Sequence, residues 1–406
     1  MTRTLGGPAL VALAGLLAAA QEGAKETRWW KGNTHTHTLW SDGDAAPEWA
    51  ADWYKSNGYH FLVLSDHDLL LEGEKWKRIG TGRGEMRPET LRPLLDKFGK
   101  TAVFRERAGA TEMRLKTLEE LRTMFEEEGR FLFIPGEEVS DEYARKPVHH
   151  NVMNLASVIR PTGGQSVREI LERTMKAVEE EAERAGRPVL VHLNHPNFGW
   201  AVEAEDIAHV KQERFFEVYS GHRGARVHGD GRRKSCEQIW DYVLSLRLGK
   251  IGGPLLYGLA ADDAHQYFVD PAVSRPGRGW VMVRSEKLGA DAIVRAMKAG
   301  DFYASSGVTL ESVTSDRERM TVTVAAQPGL KYLIRFTGTR APGGRMAEIG
   351  ARLQETAGPS ATYVFKGDEL YVRATVVSSR RHPNGYSPED FETAWAQPVA
   401  VRRLAE

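Results

Sequence analysis

Two histidines one residue apart, His35 and His37 in the segment HTHTLWSDG, are the first residues here whose types and spacing suit chemistry. On an extended chain, residues i and i+2 face the same side, so these imidazoles present two nitrogens together. Paired imidazoles suit a divalent metal, and Asp42 follows on a turn to add an oxygen. LVLSDHD sets His67 between Asp66 and Asp68 at a strand end. An imidazole flanked by carboxylates is a metal ligand or an oriented acid/base, so Asp66, His67 and Asp68 are the catalytic candidates. IPGEEVS places Glu137 and Glu138 directly after a glycine, and a carboxylate can bridge two ions where a neutral imidazole cannot. In VHHNV, His149 and His150 point to opposite faces of a strand, so one of the two is expected as a ligand. In HLNHPN, His195 is the expected ligand and His192 a core or supporting residue. AADDAHQ supplies Asp263 and His265 on one face, with Asp262 facing away. This inventory is too large for one tetrahedral zinc, and two or three ions sharing a carboxylate would use it all.

The elements that must position these groups alternate. Strands are expected in WWKGN, YHFLVL, RFLFIPGEEVS, VHHNVMNLA, PVLVHL, RFFEVYSG and LLYGLAA. Helices are expected in APEWAADWYKSNG, TLEELRTMFEEEG, VREILERTMKAVEEEAERAG, CEQIWDYVLSLRLG and ADAIVRAMKAG, several closed by glycine. Such alternation predicts an α/β fold with a parallel sheet, and polar residues just after strands fall where a β/α barrel gathers its site. Residues 69–100 read as a surface insertion whose Arg and Lys are mostly solvated, with recognition of a substrate anion as the alternative. Trp40, Trp200 and Tyr267 adjoin ligand motifs and are expected in the pocket wall or the core. After Ser306 come short alternating segments, MTVTVAA, KYLIRFTG, ATYVFKG and LYVRATVV, which read as a small β-sandwich. The expected division is 28–306 for the barrel and 307–406 for the sandwich.

Composition narrows the classes. The 406 residues carry 55 basic and 55 acidic side chains, so no global basic field points to nucleic acid. The single cysteine, Cys236, excludes intrachain disulfides and zinc sites built on two or more cysteines; it is a poor nucleophile candidate. Arg3 precedes an apolar run from Pro8 to Ala20, ending in three alanines. This predicts a secretory signal over 1–20, cleaved after Ala20, and hence a secreted or periplasmic protein. The run is too short for an integral membrane anchor.

HTHTLWSDG, SDHD, GEEV, HHNV, NHPN and DAH, in that order, resemble the PHP (polymerase and histidinol phosphatase) superfamily. Within it the chain is most similar to secreted metallohydrolase-like members related to carbaryl hydrolases, and FYASSGV and AWAQPV resemble the tail of these proteins. The resemblance implies a distorted seven-stranded β/α barrel with a trinuclear site of zinc, manganese or iron. Carried across by motif, His35, His37, Glu138 and Asp263 hold a first ion, and His67, Glu138 and His149 a second. Asp42, His195 and His265 hold a third, Asp42 standing where many members have His. The expected function is a metal-dependent hydrolase, a phosphoesterase first, in which a hydroxide bridging two of two or three divalent ions attacks a small-molecule ester. A carboxylester, carbamate or amide hydrolase, and a non-catalytic extracytoplasmic binding protein, are the alternatives. No nucleic-acid partner is expected.

Overall fold

The structure, a computed structural model, describes residues 27–404 apart from 83 and 270–272, together with residue 2. The expected secretory signal lies outside the described residues. Arg28–Asn33 pairs in parallel with Phe61–Leu62, which pairs in parallel with Leu132–Phe133. A second sheet runs Tyr257–Ala261, Phe215–Ser220, Leu190–Leu193, Lys146–Met153, Gly136–Tyr143. Its first three strands are parallel. The other two neighbour pairs are antiparallel, a departure from the expected parallel sheet. Its cause is local. Only Ala144 and Arg145 separate Gly136–Tyr143 from Lys146–Met153, both at positive φ (52° and 63°). A two-residue loop with both φ positive makes a hairpin, which can join antiparallel strands only.

Isolated pairings link the two sheets where the chemistry gathers: Thr36 with Ala264, and His67 with Glu138. Among the described residues the strands form separate sheets and no continuous closed barrel. Gly136 lets strands meet closely at this seam, since a Cβ there would lie 2.6 Å from the Val152 carbonyl oxygen and from a Val63 methyl.

The helices form where apolar spacing and caps agree. Val167–Ala185 buries Ile170, Thr174 and Val178 on one face, starts with Ser166 accepting the Glu169 N–H, and stops at Gly186 with φ 63°. The helix Leu118–Phe125 ends four residues before Gly129, its expected stop. There the Glu126 carboxylate accepts the Phe133 N–H and Glu127 pairs with Phe131, which pulls the chain out of the helix. The stretch expected as a surface insertion, 69–100, forms the helix Pro88–Phe98 and the strand Trp76–Arg78, which joins Ala110–Arg114 and Phe104–Arg107 in an antiparallel sheet. Buried Met86, Leu94, Met113 and Leu115 seat it on the body.

The C-terminal segments make two layers. Leu310–Ser315, Arg319–Val324 and Ser360–Val364 form a three-stranded sheet. Tyr332–Arg340, Ala351–Ala357, Glu369–Arg381 and Phe391–Ala400 are not a separate second sheet. They continue through Phe302–Ser305 and Trp280–Ser285 onto Arg28–Asn33, in one nine-stranded sheet. Met320, Val322, Phe336, Val372, Ala374 and Val376 are among the buried side chains between the layers. Arg373, 2 % exposed, reaches from that sheet to the helix Cys236–Leu246. Its Nε and Nη2 donate to the two Asp241 carboxylate oxygens at 2.7 and 2.8 Å, and Nη1 to Glu237 at 3.0 Å.

Removing one partner of a buried pair leaves the other charge uncompensated. Asp241→Ala is expected to lower stability by about 3 kcal/mol, the low end for such losses because Glu237 remains. Urea unfolding measures it, and an unchanged midpoint would refute a stabilising role.

Candidate metal centre

His35, His37, His67, His195, Asp263 and His265 reach the site from just beyond strand ends, whereas Glu138 and His149 lie within the hairpin strands Gly136–Tyr143 and Lys146–Met153. After Arg28–Asn33 the Asn33 side chain accepts the His35 N–H, and the His37 N–H donates to Ala264 O. This extended stretch brings the Nε2 atoms of His35 and His37 to 3.1 Å. Glu138 lies on Gly136–Tyr143 and is 1 % exposed. Its Oε2 lies 3.4 Å from His35 Nε2, 3.1 Å from His37 Nε2 and 3.1 Å from His67 Nδ1. Its Oε1 lies 3.0 Å from His149 Nδ1 and 3.4 Å from His195 Nε2. Asp263 Oδ1 stands 3.2 Å from His35 Nε2 and 3.4 Å from both His37 Nε2 and His265 Nδ1.

Asp42 belongs to a more open group, with Oδ1 3.6 Å from His67 Nε2 and 3.4 Å from His265 Nε2. Four sets of ligand atoms lie within 4.8 Å of one another: His37–Asp42–His67–His265, His35–His37–Glu138, His35–His195–Asp263 and His67–Glu138–His149. The resemblance groups Asp42 with His195 and His265, whereas the atom sets group it with His37, His67 and His265. His195 faces Glu138 and Asp263, and it is His67 that joins Asp42 and His265.

The strand alternation decides the doublets. His149 faces the cluster, while His150 turns away to Glu213 at 2.9 Å. Glu137 also turns away and accepts the Ile159 N–H at 2.5 Å; burial pushes its carboxyl up to about 8. Asp262 accepts from Asn33, Tyr54 and three backbone N–H groups, which fixes strand ends. His192 is fully buried with neither ring nitrogen hydrogen-bonded.

Two of the catalytic candidates, Asp66 and Asp68, accept hydrogen bonds from neighbouring segments. Asp66 accepts from the N–H and hydroxyl of Thr38 and of Ser41, at 2.6–2.9 Å. Both its oxygens are committed, so it fixes the turn that carries Asp42 and does not orient His67. The His67 ring is held by the Ser140 hydroxyl at 2.6 Å, and Asp68 accepts the Ser140 N–H at 2.8 Å.

Three polar residues escaped the sequence reading. Glu217 on Phe215–Ser220 binds His35 Nδ1 at 2.6 Å and accepts the His195 N–H at 2.9 Å, so it aims His35 Nε2 into the cluster. Asn194 donates to Glu138 Oε1 at 2.8 Å. His222 lines the cavity above, and burial brings its ring down to about 4. Glu217 sits in mid-strand, in FFEVYS, where no sequence signal points to it.

The electrostatics ask for cations. Burial opposes charge on His35, yet Asp263, Glu138 and Glu217 outweigh it and hold the ring well above its usual range. Burial likewise opposes charge on Glu138, but His67, His35 and His149 keep its carboxyl well below the usual range. Metal ions bind such groups in exchange for protons. The nitrogen and oxygen donors, the His35 ring fixed through its far nitrogen, and clustered acceptors fit divalent ions.

A cavity of about 690 Å³ opens over the site, lined by Asp42, His67, Glu138, His149, His195, Asp263 and His265. Phe198, Val269 and Val273 give it an apolar side, and Arg87 is the only Lys or Arg among its described lining residues. Of the aromatic residues expected in the pocket wall or the core, two take the core and none is among the cavity's described lining residues. Trp40 is buried in the core and donates to Lys116 O, Tyr267 packs on the same core, and Trp200 stacks with Arg226 and Arg233. Cys236 is fully buried, and that burial raises its thiol pKa.

No family model and no curated protein matches the chain. Among solved structures, the chain is similar to a two-domain protein from Bacteroides vulgatus, whose name includes a predicted PHP-like metal-dependent phosphoesterase. Identity is 14%, TM-score 0.41, over 93% of this chain and 95% of that one. PsfC from Pseudomonas syringae matches at 15% identity and TM-score 0.35, over 66% and 88%. A Bifidobacterium adolescentis protein, provisionally named a metal-dependent phosphoesterase, matches at 10% and TM-score 0.30, over 60% and 92%.

Glu138→Ala is expected to strip more metal than His192→Ala, measured as metal content after dialysis; equal losses would contradict the geometry. Glu217→Gln removes the charge that aims His35 and is expected to weaken metal affinity about 10–100-fold, read by competition with a chelator.

Proposed function

We propose that the chain is a metal-dependent hydrolase of the PHP type acting on small esters, with phosphoesters first. The observation that carries this reading is Glu138, buried between two ligand sets on the floor of an open cavity. His35, His37, Glu138 and Asp263 would hold one ion, with His195 close by. His67, Glu138 and His149 would hold a second, and Asp42, His67 and His265 would frame a third. Two or three zinc, manganese or iron ions bound there supply positive charge that activates water near neutral pH and stabilises charge building on the ester. The chain's own residues do the rest. Glu217 aims His35, Asn194 and Ser140 hold Glu138 and His67, and Asp66 keeps Asp42 in reach. Phe198, Val269 and Val273 take the apolar part of the substrate, and Arg87 can meet an anionic group.

That apolar side and the single described cation favour a second reading, a carboxylester, carbamate or amide as substrate. A purely structural metal site is disfavoured, because ligands that line a cavity leave positions open.

We read the two linked sheets as a distorted barrel spanning 28–306, with 307–406 as its bracing β-layer. Residues 1–20 fit an export signal, and among the described residues no helix is long and apolar enough to cross a membrane.

The test is turnover of p-nitrophenyl phosphate, bis-p-nitrophenyl phosphate and 1-naphthyl N-methylcarbamate after reconstitution with zinc, manganese or iron. Cleavage of at least one ester that a chelator abolishes is expected. Metal-loaded protein inert on the whole panel would overturn the hydrolase reading.

A further inference from the structure

The wall of the cavity beside His265 carries an imidazole that belongs to none of the ligand sets, His222. Its ring centroid lies 5.9 Å from His265 and 5.3 Å from Phe198, which itself lies 5.2 Å from His195. It therefore adjoins His265 directly and His195 through the Phe198 ring. Its tautomer is set by the backbone. Nδ1 accepts the Gly224 N–H at 2.9 Å, so in the neutral ring the proton sits on Nε2. Gly224 makes this possible. A Cβ there would come within 2.7 Å of the Phe198 ring and 2.8 Å of the His222 ring.

The loop bearing His222 is held from both sides. Arg223 Nε donates to Tyr386 O at 3.1 Å, and the Tyr386 hydroxyl donates to Arg223 O at 2.6 Å. Farther along, His228 meets Asp390 at 3.0 Å. A segment from the C-terminal strands thus keeps this wall in place.

The geometry points to His222 as a substrate-contacting residue. Its Nε2–H donates a hydrogen bond to an oxygen of an ester whose apolar group lies against Phe198, Val269 and Val273. It is a fixed donor on the cavity wall and contributes binding without holding an ion. The inference rests on the ester-hydrolase reading of the same cavity.

Two substitutions separate the ring's two nitrogens. His222→Asn keeps a polar atom near Nδ1 for the Gly224 N–H but has nothing at Nε2, and His222→Gln returns an amide donor near the Nε2 position. Metal content, kcat and KM on whichever panel ester the wild type cleaves, and calorimetric binding of inorganic phosphate to the metal-loaded protein, are measured for both. His222→Asn is expected to retain its metal, lose about 10–100-fold in kcat/KM and weaken phosphate binding about tenfold. His222→Gln is expected to recover most of both. Wild-type kinetics and phosphate affinity in His222→Asn would overturn the inference. So would loss of metal in that variant, which would make His222 a ligand, or failure of His222→Gln to recover either property. A wild type that cleaves no ester strikes the proposed function instead, and phosphate binding then decides the role of His222.

Discussion

A carboxylate with almost no solvent exposure needs charge compensation, and the site is arranged around that need at Glu138. Five imidazoles approach its two oxygens within 3.0–3.4 Å. Those imidazoles come from four segments far apart in sequence, three of them just past strand ends and His149 within Lys146–Met153, so their convergence and the burial of Glu138 require each other. With Asp42 and Asp263 also present, the positive charge needed comes either from protons on the rings or from bound cations. Supporting contacts point the same way. The far nitrogen of His35 is tied to Glu217, that of His265 to the Asp263 carbonyl, and His67 to the Ser140 hydroxyl. Ring orientation is thus fixed by backbone and side-chain groups that are not themselves ligand atoms, which is how a protein prepares a cation site before the cation arrives.

The C-terminal strands bear on this arrangement directly. Gln397 on the last strand pairs through both ends of its amide with the backbone of Gly258, in the strand that leads to Asp263. Asn384 and Arg278 interlock, fixing the connection that follows His265. Arg373 clamps the helix Cys236–Leu246. The nine-stranded sheet therefore links the C-terminal layer to the first strand of the site-bearing body without a break.

Much of this was legible in the sequence because metal ligation needs particular side chains at particular strand ends. Period-two spacing gave the His35–His37 and Asp263–His265 pairs. The resemblance favoured His149 over His150, and the strand's register agrees with it. What stayed hidden depends on contacts across the chain. Asp66 looks like a partner of His67 by adjacency, yet the turn at Thr38–Ser41 takes both its oxygens. Glu217 sits in an apolar strand with no neighbouring motif, so only its contact with His35 reveals its role. His222 follows a strand end as the ligands do, but without a paired acid. The hairpin at Ala144–Arg145 lacks the Asn-Gly or Asp-Gly signal that marks such turns, so the antiparallel strands were missed. For Trp40 the sequence left pocket wall and core open, because adjacency to a ligand motif does not say which way a ring points, and packing takes it into the core.

The most direct test of the account is a crystal structure of metal-loaded protein with anomalous scattering collected at the metal edge. The account predicts at least two peaks flanking the Glu138 carboxylate, one about 2.0–2.2 Å from nitrogens of His35 and His37 and one at similar distance from His149. Peaks only at surface histidines, or a Glu138 that binds no ion, would contradict it.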